Sequence, residues 1–376
     1  MIGKARLFFL YILLFSGFLR LWRFWNRNKI IILMIHGVMD ENAASSRWTP
    51  LRSQTSRNQL GIAMTTFSKC YNFISLADAV EMLSGKIKIK PYSLVITFDD
   101  GYRNNMTYAL PILRFHGAPA TMFIATAHID KRKPFWFDRL DYAVQHAEGK
   151  KLAVEVGGAV VEIDFSSRQN LRSSFMRLLK TAKSIPRDDC EMIEDLEKLA
   201  ESLEQASGHR IEEIFENDEW SSLLTWDEIR GATKAGVTFG SHTVDHVRLG
   251  LVGDDVIRDQ LVRSKKIIEE KTGMKCEFLC YPDGSYNERS AAIARECGFK
   301  AALTVDPGAN SSGDDLFKLR RFSIGRRERP VELLFGVSGL PEVKTALMEK
   351  LDNLFQRFKD ALVMAKAMVA RQTINK

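Results

Sequence analysis

From residue 30 onward the chain alternates short apolar runs with longer stretches of helical periodicity. Residues 30–35 (IIILMI), 71–74 (YNFI), 93–98 (SLVITF), 120–125 (ATMFIA), 237–240 (VTFG), 277–281 (EFLCY) and 300–305 (KAALTV) are the apolar runs. Uninterrupted runs of this length predict strands buried on both faces. Between them, helices are predicted near 57–64, 103–116, 254–272 and 287–297, with stops at Gly117, Gly273 and Gly298. Ser75 opens a short helix that stops at Gly85, and Thr225-Trp-Asp-Glu228 is a capping box for a helix stopping at Gly236. Repeated strand–helix units ending in glycine predict an α/β fold with a parallel sheet, open or closed into a barrel. In both arrangements chemistry belongs at the C-terminal ends of the strands.

Three segments leave this rhythm. Residues 1–29 hold a 13-residue uncharged stretch, residues 7–19, followed by Arg20 and Arg23 among Leu21, Trp22, Phe24 and Trp25. Thirteen helical residues reach about 20 Å, short of a hydrocarbon core of roughly 30 Å. Extension to Trp25 with snorkelling arginines would just span, and the Trp/Arg mixture equally suits an interfacial anchor. The expectation is a membrane anchor whose orientation the basic flanks leave open. Residues 145–222 carry an alternating apolar patch around Gly157-Gly158 and then a charged helical stretch, an inserted α+β lid or side wall. The barrel-forming unit is thus 30–330, interrupted at 145–222. Residues 331–376 contain an amphipathic helix, 342–370, with Leu347, Leu351, Leu354, Phe355, Phe358 and Leu362 on one face, expected to pack on the domain.

Charge sharpens the picture. The 376 residues hold 54 Lys+Arg and 47 Asp+Glu, a net +7. Residues 1–29 supply six of the cations and no acid, and residues 341–376 add a net +3, leaving the middle slightly acidic. A nucleic-acid reader would be basic within its fold, so no nucleic-acid partner is expected; basic ends point to an anionic membrane surface. Five cysteines, an odd number with no Cys-x-x-Cys, exclude a disulfide framework and make a structural zinc site improbable on spacing.

Three clusters at predicted strand ends carry candidate chemistry. Thr97-Phe-Asp-Asp-Gly101 places two adjacent carboxylates where a divalent cation, or alternatively a solvated capping turn, would relieve their repulsion. Ser241-His-Thr-Val-Asp-His246 sets imidazoles at i and i+4, within reach of one ion, although a surface pair reads the same. Asp100 with His242 and His246 makes a carboxylate and two-histidine set that leaves metal positions open. Tyr281-Pro-Asp-Gly284 forces a sharp turn able to present backbone N–H groups to an oxyanion.

In order and spacing, the TFDDG box at 97–101, the SHxxxH box at 241–246 and the Tyr-Pro-Asp-Gly turn resemble the polysaccharide deacetylases of carbohydrate esterase family four. Residues 33–38 (LMIHGV) and 225–242 are similar to the same family's phrasing. The resemblance implies a distorted (β/α) barrel with about seven parallel strands. It implies that Asp100, His242 and His246 hold a metal, usually zinc with cobalt or nickel able to substitute. Asp99 would be the general base, and Tyr281 and Asp283 would form the oxyanion and substrate turn, the Asp283 N–H stabilising the oxyanion. The implied activity is hydrolysis of N- or O-linked acetyl groups from a polysaccharide or lipid-linked sugar, at the inner membrane of a bacterial-type envelope. Three departures stand out. Cys280 occupies the place of an arginine that orients the base, Asp283 stands where relatives often have an aromatic, and no histidine follows His246 to act as acid. His36 is the substitute acid or a buried structural histidine, and in the latter case Asp99 would serve both roles. Arg320, Arg321 and Arg326 either orient a carboxylate or form a basic surface. A catalytically silent glycan-binding protein on this scaffold, or a hydrolase of another amide, would share these features.

Overall fold

Strand β1 (Ile31–Ile35) lies inside the sheet, its aliphatic side chains almost all buried, and this double-sided burial makes it a strand rather than an amphipathic element. The structure, a computed structural model, describes residues 2–40, 48–52, 54–325 and 328–340. The remaining sheet strands are β2 (Asn72–Phe73), β3 (Ser93–Phe98), β4 (Ala120–Ile124), β5 (Thr238–Ser241), β6 (Phe278–Cys280), β7 (Ala301–Leu303) and β8 (Phe322–Ser323). Their order is β7-β6-β5-β4-β3-β1-β8, with β2 also pairing β3, and every pairing is parallel. The curl nearly closes, because Leu303 of β7 bridges Leu319 just ahead of β8. The fold is therefore a distorted (β/α) barrel whose path holds seven parallel strands.

The expected strands are present but shorter than their apolar runs at several ends, where side chains stay buried without a ladder partner. The helix expected at 254–272 forms as Asp254–Thr272 and ends at Gly273 in the left-handed conformation. The Thr225/Glu228 capping box is formed in both directions. Two helices at the mouth, Thr126–Asp130 and α3 (Trp136–His146), were not anticipated. α3 is buried along most of its length and so lacks the polar stripe that sequence periodicity detects.

The insertion is an antiparallel hairpin, Lys151–Val156 against Ala159–Asp164, turning at Gly157-Gly158. It continues into α4 (Arg168–Ser184) and α5 (Asp189–Ser207). Val154, Val156, Val161 and Ile163 alternate onto one buried face and join the main core. α5 is tied to α3 by charge as well. Arg139 donates through Nη2 to Glu204 at 2.6 Å and through Nη1 to Glu197 at 2.6 Å, with Glu204 almost fully buried.

The apolar N-terminal segment is two helices, α1 (Ile2–Phe15) and α2 (Phe18–Trp25), broken at Gly17 with φ +79°. No described helix is long and apolar enough to cross a membrane. The hairpin rests on α6 (Pro330–Gly336) through Leu10, Leu19 and Val331. The amphipathic helix expected at 342–370 lies outside the described residues.

Removing Arg139 strands a buried carboxylate. Arg139→Met should lower the urea-unfolding free energy by about 3–5 kcal/mol, the usual cost of breaking a buried pair from one side. A change under 1 kcal/mol would show that α5 is not held by this contact.

Candidate active site

Asp99 and Asp100 follow β3 directly, both 2% exposed. Consecutive side chains on a strand point to opposite faces. Asp100 breaks that alternation with φ +74°, and Gly101 follows at φ +83°. Both carboxylates therefore turn toward the mouth. A Cβ on Gly101 would lie 2.8 Å from Ile124 Cγ2, so only glycine fits both the angle and the space. Thr243, His246 and Asp283 are also left-handed. Such strain gathers where surrounding structure holds a site rigid.

Asp99 has its own cation. Arg321, immediately before β8, donates Nη1 to Oδ1 and Nη2 to Oδ2, each at 2.8 Å. The guanidinium is fully buried and is held in turn by the Thr304 carbonyl (2.7 Å) and Thr97 Oγ1 (3.2 Å). A forked contact of this kind fixes the carboxylate plane as well as its charge. Burial alone would raise the Asp99 carboxyl, but Arg321 outweighs it and holds the group below its ordinary value.

Asp100 has no such partner. Its Oδ1 is buried without a hydrogen bond among the described residues. His242 Nε2 and His246 Nε2 stand 3.5 and 3.4 Å away. Ligand atoms of a tetrahedral zinc ion at about 2.0–2.1 Å sit about 3.3–3.4 Å from one another, so the spacing fits one shared cation. His242 donates Nδ1–H to the Cys280 carbonyl at 2.8 Å, which leaves the Nε2 lone pair facing the centre. Burial raises the Asp100 carboxyl, yet the two imidazoles hold it well below the carboxylate range, so it is anionic. A second candidate set, Asp99, His242 and Cys280, is equally compact. Its cation is already present: Arg321 engages Asp99 and reaches Cys280 Sγ at 3.1 Å.

The turn after β6 supplies the opposite side. Asp283 adopts φ +53° between Pro282 and Gly284, and its backbone N–H has no acceptor among the described residues. Its carboxylate accepts from Lys183 Nζ of α4 at 2.6 Å. Burial opposes ionisation there, but Lys183 and His246 lower the group. Tyr281 departs from the substrate role expected of it. The ring is fully buried against Tyr286, its hydroxyl donates to the Phe317 carbonyl, and its N–H donates to Leu303. It anchors the turn from beneath. His36 is exposed at the end of β1, close enough for its charge to act on both Asp99 and Asp100. Of the three arginines flagged near the last strand, Arg321 enters the site, Arg320 pairs with Asp314 at 2.9 Å, and Arg326 lies outside the described residues.

A wall missed by sequence reading completes the mouth. The Arg52 guanidinium lies 3.8 Å over the centre of the Phe137 ring, whose centroid is 5.5 Å from that of the His246 ring, the two planes steeply inclined. Asp138 accepts from Arg52 (3.1 Å) and from the Tyr102 hydroxyl (2.7 Å). Burial pushes Asp138 up to about 7 against the pull of Arg52. Neither residue belongs to a motif with local spacing; the fold alone brings them to His246.

The family profile described as Polysaccharide deacetylase matches residues 86–302. A Bacillus subtilis (strain 168) protein named as a polysaccharide deacetylase, YxkH, is 27% identical over 101 residues, which are 27% of this chain and 36% of that protein. The match thus spans about a third of the relative's length. Among solved structures, a Streptococcus pyogenes deacetylase, PplD, superposes with a TM-score of 0.54 at 18% identity, covering 82% of this chain and 98% of that one. IcaB from Ammonifex degensii gives 0.50 at 17%, covering 79% and 92%. These likenesses concern the fold.

Asp99's depressed value means that its contribution to stability is present above the unfolded carboxyl's 3.8 and is lost only as pH falls through the lower folded value. In Arg321→Met burial loses its main opponent, leaving only His242 and His36 to lower the group, so the acid limb of any Asp99-dependent rate should move up. Stability should fall by about 3–5 kcal/mol. Arg321→Lys, keeping charge without the fork, should fall between the two proteins in both readouts. An unmoved limb in Arg321→Met would remove Arg321 from the base's positioning.

Proposed function

The chain belongs to the polysaccharide deacetylase family, and from that premise we propose that it is a metal-dependent hydrolase removing acetyl groups from an envelope or lipid-linked carbohydrate. The observation that carries the reading is the unpartnered, buried Asp100 oxygen facing two imidazole nitrogens at 3.4 and 3.5 Å. Asp100, His242 and His246 would hold a divalent cation, zinc by the donor set, with cobalt or nickel as substitutes. When bound, it supplies Lewis acidity that activates water and polarises a carbonyl.

The chain's own groups do the rest. Asp99, kept ionised and oriented by Arg321, accepts the proton of the attacking water. The free Asp283 N–H donates to the carbonyl oxygen as it gains negative charge. His36, exposed at the rim, returns a proton to the departing amine or hydroxyl. Acetate and a deacetylated sugar leave. Arg52, part-exposed and stacked on Phe137, offers donors to sugar hydroxyl or carboxylate groups.

A catalytically silent relative drew its support from the missing arginine beside the base and the missing late histidine. Arg321, entering just ahead of β8, answers the first loss, and the exposed His36 is the proposed answer to the second, which favours the hydrolase reading.

Acetate release from acetylated oligosaccharides tests it, with metal content measured on the same protein. Chelation should stop release and re-addition of zinc should restore it. Asp99→Asn should keep the metal and lose roughly 10²–10⁴-fold in kcat, the usual contribution of a positioned base. A metal-free protein, or full turnover in Asp99→Asn, would overturn the assignment. Arg52→Ala should raise KM more than it lowers kcat if the guanidinium binds sugar.

A further inference from the structure

α2 is inside out for a helix on a water-facing surface. Phe18, Leu21, Phe24 and Trp25 are exposed, Trp25 by 64%, whereas Leu19 is buried and Arg23 turns toward the domain. α1 continues the pattern: Phe8, Ile12 and Phe15, one above another at i, i+4 and i+7, are 69, 48 and 82% exposed. Scattered apolar residues on a surface are ordinary, but seven along one hairpin form a patch of the kind that marks an interaction site.

Beside this patch lies a cavity of about 210 Å³ at the N-terminal ends of β1, β2 and β3, the opposite end of the barrel from Asp99. Arg23, Arg27, Lys29 and Arg320 line it, with the Tyr92 ring, and no carboxylate among the described residues does. Arg320 is balanced by Asp314. Arg23 spends one nitrogen on the Cys70 carbonyl, while its buried Nε has no partner. Arg27 donates to the Phe24 carbonyl and lies 4.0 Å over that residue's ring. Arg23 and Arg27 are part-buried and Lys29 is exposed, so these three neighbouring cations repel one another in reach of solvent and attract an anion.

We propose that the α1–α2 hairpin docks the protein on one leaflet of a bilayer bearing anionic phospholipid, with the apolar face among the acyl chains and a lipid phosphate seated in the cationic cavity. The geometry is that of an interfacial helix pair with aromatic and basic residues at headgroup depth. The 13-residue uncharged run is too short to span, and the Gly17 break folds it back. Charge favours lipid over the chain's own tail as the cover, since residues 341–376 carry the same sign as residues 1–29. Docked this way, the mouth faces away from the lipid.

Flotation of the full chain with phosphatidylcholine vesicles, with and without about a third phosphatidylglycerol, tests the inference. Binding should require the anionic lipid and weaken with salt. Arg27→Gln with Lys29→Gln should weaken it by roughly 30-fold, two charges near an anionic surface. Leu21→Ser with Trp25→Ser should abolish it, while circular dichroism stays unchanged. Failure to float with either vesicle would overturn docking. So would strong flotation gained only after residues 341–376 are removed, which would make the tail the natural cover. Equal binding to neutral vesicles, indifferent to Arg27 and Lys29, would overturn the phosphate seat. The inference is independent of the catalytic reading: none of these variants touches the mouth, and acetate release on soluble sugar should be unaffected.

Discussion

Two adjacent carboxylates, both buried, end one strand of this barrel, and most of the site is arranged to make that tolerable. A lone buried carboxylate costs several kcal/mol, and two neighbours repel as well. The structure resolves the problem asymmetrically. Asp99 receives a permanent cation in Arg321, whose guanidinium makes five contacts, two of them to Asp99 itself. Asp100 receives two neutral-capable imidazoles and keeps an oxygen unpaired. The first arrangement is complete within the chain, and the second is complete only with a further positive charge. Two chemically identical side chains are thus given different environments, one ion-paired and one facing two imidazoles, and the proposed division into base and metal ligand rests on that difference.

The backbone makes the division possible. With ordinary alternation, one of the two carboxylates would face away from the mouth. The left-handed turn at Asp100 rotates it toward β5 and the histidine loop, while Asp99 keeps the strand's inward direction toward β8. Left-handed Thr243 and His246 do the same on the facing loop, bringing both imidazoles back toward one point. An i, i+4 spacing brings two side chains together most simply on a helix; the histidine segment is instead an irregular loop. The convergence survives because these backbone angles, with the Nδ1–H bond to the Cys280 carbonyl, replace helical geometry.

That contrast explains what could be read in advance. The Asp-Asp, His-His and Pro-Asp-Gly groups are local in sequence, and local spacing is visible without a fold. The parallel sheet was legible because strands buried on both faces leave unbroken aliphatic runs. Arg321 was visible only as one of three candidates, because nothing local separates an inward from an outward arginine. The separating feature is register: Arg321 and Arg320 alternate into and out of the barrel as the chain approaches Phe322, and that parity is fixed by the pairing of β8 with β1. Tyr281 misled for the same reason, since an aromatic at a motif turn reads as a substrate contact until burial is known. Arg52 and Asp138 belong to no spacing at all; their meeting depends on a loop and a helix about ninety residues apart.

The insertion is better understood as a buttress of the site than as a cover laid over it. Asp189, at the start of α5, accepts both the backbone N–H of Arg248 at 2.7 Å and its Nε at 2.6 Å, two residues beyond His246. Lys183, at the end of α4, holds the Asp283 carboxylate. Two ion pairs from one inserted segment therefore grip the loop that carries His246 and the turn that carries Asp283. Arg139, with Glu197 and Glu204, closes the circuit back to α3 and so to Phe137 beside His246. Strained, left-handed residues persist only where their surroundings over-determine them. Here the insertion supplies that determination for His246 and Asp283, as Arg321 does for Asp99, which is why a segment foreign to the barrel's repeat is wired so closely to its chemistry.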